Sequence, residues 1–405
     1  MRVALVGAGG VGSSIVRIAA RRDFLERMVV ADHDRDRAER AAAAAGDERF
    51  VAARVDASDQ AGVVELLRAH RCDVLLNATD PRFVLPLFHA ALEAGADYLD
   101  MAMSLSRPHP EVPWSRVGTK LGDEQFAEAD TWVERGRLAL VGIGVEPGLS
   151  DVFARYAADE LFDRIDEIGV RDGADLVVEG YAFAPTFSIW TTIEECLNPP
   201  VIYERERGWY TTEPFPEPEV FEFPDGIGRV ACVNVEHEEV VLIPRRIDAG
   251  RVTFKYGLGQ EFIDVLATLH KLGLDSTRPV RVGAVEVAPR DLVAACLPDP
   301  ATLGDRMRGR TCAGTWVRGT GKDGAPRDVY LYQVADNQRT MRDWGAQAVV
   351  WQTAVNPVAA LELLAGGAWS GAGVLGPEAF DARPFLELLP DYGAAWSLRE
   401  QRPRP

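Results

Sequence analysis

Residues 1–12 read MRVALVGAGGVG, a short apolar run that passes without a break into a glycine-rich turn. Val3 to Val6 suit a buried parallel strand. Gly7, Gly9 and Gly12 then give the G-x-G-x-x-G spacing, with Gly10 and Val11 inside the turn. Each glycine has a physical reason: Gly7 permits the tight turn, Gly9 admits a pyrophosphate to the backbone, and Gly12 lets the next helix pack on the strand. A helix predicted from about Val11 to Arg21 would point its free amides and its dipole at that pyrophosphate.

Working outward, a second apolar run, Met28-Val29-Val30-Ala31, ends at Asp32, where a dinucleotide site places a carboxylate for the ribose hydroxyls. The alternative is an ordinary strand–turn–helix with a surface Asp. A carboxylate at this point favours the free 2′-hydroxyl of NAD(H) over the phosphate of NADP(H). Arg35 and Arg37 follow closely enough to fold over a phosphate, so NADP(H) stays open.

The strand–helix rhythm continues. Helices are predicted over 35–45, 60–69 and 82–94, and strands over 51–55, 72–77, 97–100 and 138–143. Such repetition predicts an α/β fold: an N-terminal Rossmann domain with a doubly wound parallel sheet, over residues 1–148. Ligands then lie over the carboxyl ends of the strands, which makes Asn77, Thr79 and Asp100 candidates by position. Residues 104–125 break the rhythm as a long loop that could act as a lid.

From 149 to 340 longer, mixed elements predict an α+β substrate and dimerisation domain, with alternating strands across 201–255. From 341 to 405 a C-terminal segment is expected to pack back on the Rossmann domain. Its long apolar helix over 346–364 would be interrupted at Asn356-Pro357.

The formal net charge of −18 argues against nucleic acid and anionic membranes as partners. It suits either a cationic substrate or simply a solubilising surface. No uninterrupted apolar stretch of spanning length and no signal-peptide pattern is visible. The five scattered cysteines suit reduced thiols, so a cytoplasmic setting is expected.

Two stretches carry candidate chemistry. In Gly142-Ile143-Gly144-Val145-Glu146-Pro147-Gly148, Pro147 holds Glu146 extended at the end of a strand, near a bound nicotinamide. In Glu236-His237-Glu238-Glu239 an imidazole stands among carboxylates, which raise its pKa and fit it to deliver a proton. A plain turn and an exposed strand end are the respective alternatives. Arg245, Arg246 and Lys255, expected on nearby strands, could hold a substrate carboxylate or simply face solvent. No metal-ligand spacing stands out, and no metal is expected.

With these residues in view, the chain resembles the saccharopine dehydrogenase-like family. The likeness rests on GAGGVG, VDASD (55–59), DYLD (97–100) and IGVEPGLSD (143–151). CLPDPATLG (296–304), GRTCAG (309–314), YLYQVADNQ (330–338) and GAQAVVWQTAVNPVAA (345–360) are similar to its carboxynorspermidine/carboxyspermidine dehydrogenase branch. The resemblance implies a homodimeric NAD(P)H-dependent oxidoreductase of C–N bonds that joins a diamine to L-aspartate β-semialdehyde through an imine. Lysine 6-dehydrogenase or saccharopine dehydrogenase chemistry is the alternative, and a non-catalytic dinucleotide-binding protein is a further one. Carried onto this sequence, it implies catalytic roles for His237, Glu146 and Glu238. It also implies a nicotinamide-side contact at Thr353; Asp56 is a further cofactor candidate, and Asp100, Arg245 and Lys255 are the substrate candidates read from position and charge. Asp32 departs from the Ser/Arg-type segment of the polyamine branch. Residues 181–200 are more similar to the lysine and saccharopine dehydrogenases.

Overall fold

The computed structural model describes residues 1–186 and 189–401. A seven-stranded, wholly parallel sheet forms the first layer system. Its order is Gly373–Leu375, Leu138–Leu140, Asp97–Asp100, Val74–Asn77, Arg2–Val6, Arg27–Asp32 and Phe50–Arg54. Strand residues alternate between the two faces. Val3, Leu5, Val30, Leu76 and Leu99 join one buried cluster, while Ala4, Val6, Val29, Leu75 and Tyr98 join the other. A sheet covered on both faces therefore reads as continuous apolar runs, and MRVALV is one of them.

A mixed nine-stranded sheet builds the second half. At its centre Phe162–Ala174 runs parallel to Ala249–Gly257 and antiparallel to Arg310–Gly321, which pairs in turn with Pro326–Asp336. The region expected as alternating strands and turns over 201–255 also contains helix. Between Asn234 and Ala249 the chain forms the short helix Glu239–Leu242 and the 3-10 turn Ile243–Arg245. Burial explains the difference: Val240, Val241, Leu242 and Ile243 are a consecutive apolar run with almost no exposure, and a helix turn buries all four where a one-sided strand would expose two. Arg245 consequently sits on that turn, not on a strand.

The chain then returns to its beginning. Helix Ala348–Ala365 packs along helix Gly10–Ala19, and Gly373–Leu375 adds the outermost strand beside Leu138–Leu140. The break expected at Asn356-Pro357 does not occur, because the helix runs through Pro357 without ending. Proline there removes one backbone donor, while the Asn356 side chain donates back to the Gln352 carbonyl at 2.9 Å. The uninterrupted helix is also long and apolar enough to cross a membrane by length and composition, against the sequence expectation. Two-thirds of it is buried within the protein, as befits a core helix.

Candidate active site between the two domains

The glycine turn is sterically committed. Gly7 has φ +102°, and a Cβ there would run into the Ala78 carbonyl. A Cβ on Gly12 would strike the Gly7 carbonyl oxygen, whereas Gly9 faces open space. The helix beginning at Gly10 has no side-chain cap on its first amides. A cradle of free amides with an unfilled side at Gly9 fits a pyrophosphate.

Asp32 closes the second strand and is 5% exposed. Its Oδ2 accepts from the Ala8 amide and its Oδ1 from the Asp34 amide, each at 2.9 Å. His33 Nδ1 lies 3.0 Å and Arg37 Nη1 3.9 Å from its oxygens. Asp56 is exposed beyond the third strand, where it accepts from the Ser58 amide and hydroxyl. Asn77 accepts from the Thr79 amide (2.9 Å) and hydroxyl (2.7 Å), which shapes the floor below the turn.

Over this floor lies a cleft of about 390 Å³ between the two sheets. Gly9, Gly10, Val11, Asn77, Thr79 and Thr353 border it on the dinucleotide side. Glu146, His237, Glu238, Glu195 and Glu236 face them, so the fold brings together segments far apart in sequence. Asp100 also borders the cleft, but its oxygens accept from the Gly142 amide (2.7 Å) and Gln125 Nε2 (2.9 Å). Among the described lining residues His237 is the single basic side chain.

His237 is held on three sides. Its ring stacks on Phe254, its Nδ1 donates to Glu239 Oε2, and Glu238 Oε2 stands 3.4 Å from the same nitrogen. Glu239 is fully buried and also accepts from Ser150 Oγ at 2.7 Å. Burial pulls the His237 pKa down, but Glu239, its hydrogen bond, Glu238 and Glu195 outweigh it and raise it to about 10. The imidazolium is thus the resting form, with Nε2 the ring nitrogen not committed to Glu239. One donor atom from each of His237, Glu238 and Glu239 lies within 4.8 Å of the others. The imidazole hydrogen bond already occupies that space, so the trio is an ion-paired group.

The carboxyls behave in the opposite sense. Burial lifts Glu195 to about 8, and Glu236 and Asp100 to about 7. Burial, with Asp172 and Glu239 nearby, raises Glu146 well above the usual carboxylate range. Glu236 accepts from Ser106 Oγ (2.8 Å) and Asn198 Nδ2 (3.0 Å), tying the long 101–122 loop to the second domain.

Two of the substrate candidates fall outside the cleft. Arg245 lies over the Phe126 ring and 3.7 Å from Asp123. Lys255 pairs with Glu219 at 3.1 Å. Neither borders the cavity, because each is already neutralised by an acid on its own side of the sheet. Sequence reasoning had not singled out Glu195, Asp172 or Ser150. The signal available for Glu195 was a pair of acids, Glu194-Glu195, in an otherwise apolar helix, Ile189–Leu197.

Comparison with known proteins agrees with this architecture. The Saccharopine dehydrogenase NADP binding domain matches residues 3–140, and the Saccharopine dehydrogenase C-terminal domain matches residues 144–394. Carboxynorspermidine synthase of Vibrio cholerae is 30% identical, covering 100% of this chain and 98% of that protein. Carboxyaminopropylagmatine dehydrogenase of Synechocystis is also 30% identical, covering 98% and 96%. The saccharopine dehydrogenase (L-Glu forming) of Saccharomyces cerevisiae shares the fold, with a TM-score of 0.72 at 14% identity over 99% of this chain and 100% of that one. The chain belongs to the saccharopine dehydrogenase family and is a nicotinamide dinucleotide-dependent oxidoreductase of the C–N bond class.

Proposed function

We propose that this enzyme reductively condenses a diamine with L-aspartate β-semialdehyde, giving a carboxy-polyamine through an imine. The observation that carries the reading is the set of carboxyls around the cleft: Asp100, Glu146, Glu195, Glu236 and Glu238 border it against one imidazole, and those that burial holds protonated can ionise when an amine brings positive charge. Such a wall favours a polycationic amine and disfavours an anionic substrate. The names of the Vibrio cholerae and Synechocystis relatives point to the same class.

The reduced nicotinamide supplies the hydride that the imine carbon takes up. His237 delivers a proton to the nitrogen, since its pKa of about 10 keeps it charged at neutral pH. Glu146 holds an ammonium group against the cleft wall, and Glu238 keeps the imidazolium charged. Thr353 and the turn from Gly7 to Gly12 hold the cofactor, with Asn77 and Thr79 beneath it. Asp100 props the substrate side through Gln125. Holding both reactants in register supplies much of the acceleration.

Asp32 favours NAD(H), while Arg37 beside it leaves room for a phosphate contact. A homodimer through the second domain completes the reading, and light scattering tests it. The deciding experiment follows oxidation of NADH and of NADPH with L-aspartate β-semialdehyde, with putrescine or diaminopropane added separately. Diamine-dependent oxidation is the expected result. Silence there, with reduction of NAD by lysine or saccharopine, would overturn it in favour of amino-acid oxidation.

A further inference from the structure

Glu146 borders two cavities at once. On its far side from the glycine turn lies a second chamber of about 180 Å³, bordered by Asp172, Tyr256, Phe262, Thr311 and Gln352. Asp172 comes from the end of the central strand Phe162–Ala174, where the Gly257 amide donates to its carboxyl, and its Oδ1 is shut off from solvent with no donor beyond a proton shared with Glu146. Two of the neighbouring polar groups are committed to each other and to Gln333. Thr311 Oγ1 donates to Gln352 Oε1 at 2.5 Å, and Gln352 Nε2 lies 3.3 Å from Gln333 Oε1.

The group that faces Asp172 is the Glu146 carboxyl, itself an acceptor unless protonated. Two buried carboxyls can stand together only by sharing a proton or by sharing a cation. Among the described residues no Lys, Arg or His borders the second chamber. In the ligand-free protein a shared proton fills the pair, and an entering cation can take its place.

We propose that this chamber is the subsite for the far cationic end of an alkyl amine whose near nitrogen reacts in the cleft, with Asp172 and Glu146 as its carboxylate partners. The inference rests on the amine-condensing reading above and adds the place where the amine's second charge is read. An amine chain passes Glu146 and sets its terminal N–H donors against Asp172, replacing the proton that the two carboxyls otherwise share. A monoamine of the same carbon skeleton puts a methyl group there and makes no ion pair with them. A site built to hydrogen-bond a polar end rejects the analogue lacking it far more strongly than it rejects a change of length. An ammonium and a guanidinium share this chemistry, and the guanidinium adds a paired N–H fork.

The test is direct binding to the full-length protein with NADH or NADPH present, by calorimetry with putrescine, agmatine and n-butylamine. The wild type is expected to bind putrescine, agmatine or both at least about tenfold more tightly than n-butylamine, the effect of one buried charged hydrogen bond. Which of the two dications is preferred identifies the chemistry of the far end. Asp172→Asn is expected to collapse the preference for the dication. Ala184→Leu, which fills the chamber from another side without touching charge, is expected to do the same. A wild type with no preference, or variants that keep it, would overturn the subsite. The reaction is judged separately: preference without turnover on any amine removes the condensation reading alone, and turnover with an unaltered preference in both variants removes the subsite alone.

Discussion

The imidazole of His237 lies flat on the ring of Phe254, with centroids 3.8 Å apart and planes within 5°. The stack fixes the plane of the imidazole, and Glu239 fixes its rotation within that plane by accepting from Nδ1. Together they aim Nε2 without further help. Replacing Glu239 by Gln removes the largest influence raising the His237 pKa. The alkaline limb of the reductive pH–rate profile is expected to move to lower pH, with kcat falling more than KM rises. An unshifted limb would show that Glu239 does not tune the proton donor.

His237→Gln keeps the size and polarity of the side chain but removes the transferable proton. Loss of a positioned general acid costs roughly 10²–10⁴ in rate, so kcat should fall in that range while NADH binding is retained. Full turnover would remove His237 from the chemistry.

Gly7→Ala drives a methyl group into the Ala78 carbonyl at a backbone angle of φ +102°. Dinucleotide binding, followed by nicotinamide fluorescence, is expected to be lost. Asp32→Ser is expected to move preference toward NADPH, because it removes a carboxylate beside Arg37. Unchanged relative affinity for the two cofactors would refute the assignment of Asp32 to the ribose.

Stability should depend on pH in a direction set by the buried acids. Glu195 at about 8 and Asp172 and Glu236 at about 7 keep their protons in the folded protein well above the pH at which they lose them unfolded. Their raised pKa values contribute stability that is complete below the unfolded carboxylate range and is lost as pH rises through about 7 to 8. His237, raised to about 10, acts with the same sign at higher pH. The melting temperature of the ligand-free protein is therefore expected to decline between about pH 5.5 and 8.5. Bound putrescine should flatten that decline, since a cation stabilises the ionised carboxylates. A melting temperature that rises across this window would contradict the assignment.

Leu361 is fully buried in helix Ala348–Ala365, which packs on helix Gly10–Ala19. Leu361→Ala should cost about 2–5 kcal/mol of unfolding free energy, the range for a core leucine. Chemical denaturation measures it. A cost well under that range would mean the helix is dispensable to the first domain.

The first domain was legible because a parallel sheet covered on both faces writes itself as apolar runs of strand length, and Gly7 to Gly12 leave few other folds open. The second domain was less so. Val240 to Ile243 look the same as a strand or as a buried helix turn when read by apolarity alone, and only the tertiary packing decides. The acids of the cleft were half visible. Glu146 and His237 announce themselves through Pro147 and the surrounding glutamates. Asp172 and Glu195 do not, because the strand and helix that carry them are aligned only by the sheet. Arg245 and Lys255 misled for the mirror-image reason: charges near in sequence to His237 are neutralised by Asp123 and Glu219, which sequence proximity does not reveal.

The strand Gly373–Leu375 is the outer edge of a sheet whose middle strand is Val74–Asn77. During synthesis the nucleotide-binding half must therefore wait, with its Leu138–Leu140 edge unpaired, until nearly all of the second domain has left the ribosome. A chain cut between them would leave the cofactor domain with an open sheet edge at Leu138–Leu140.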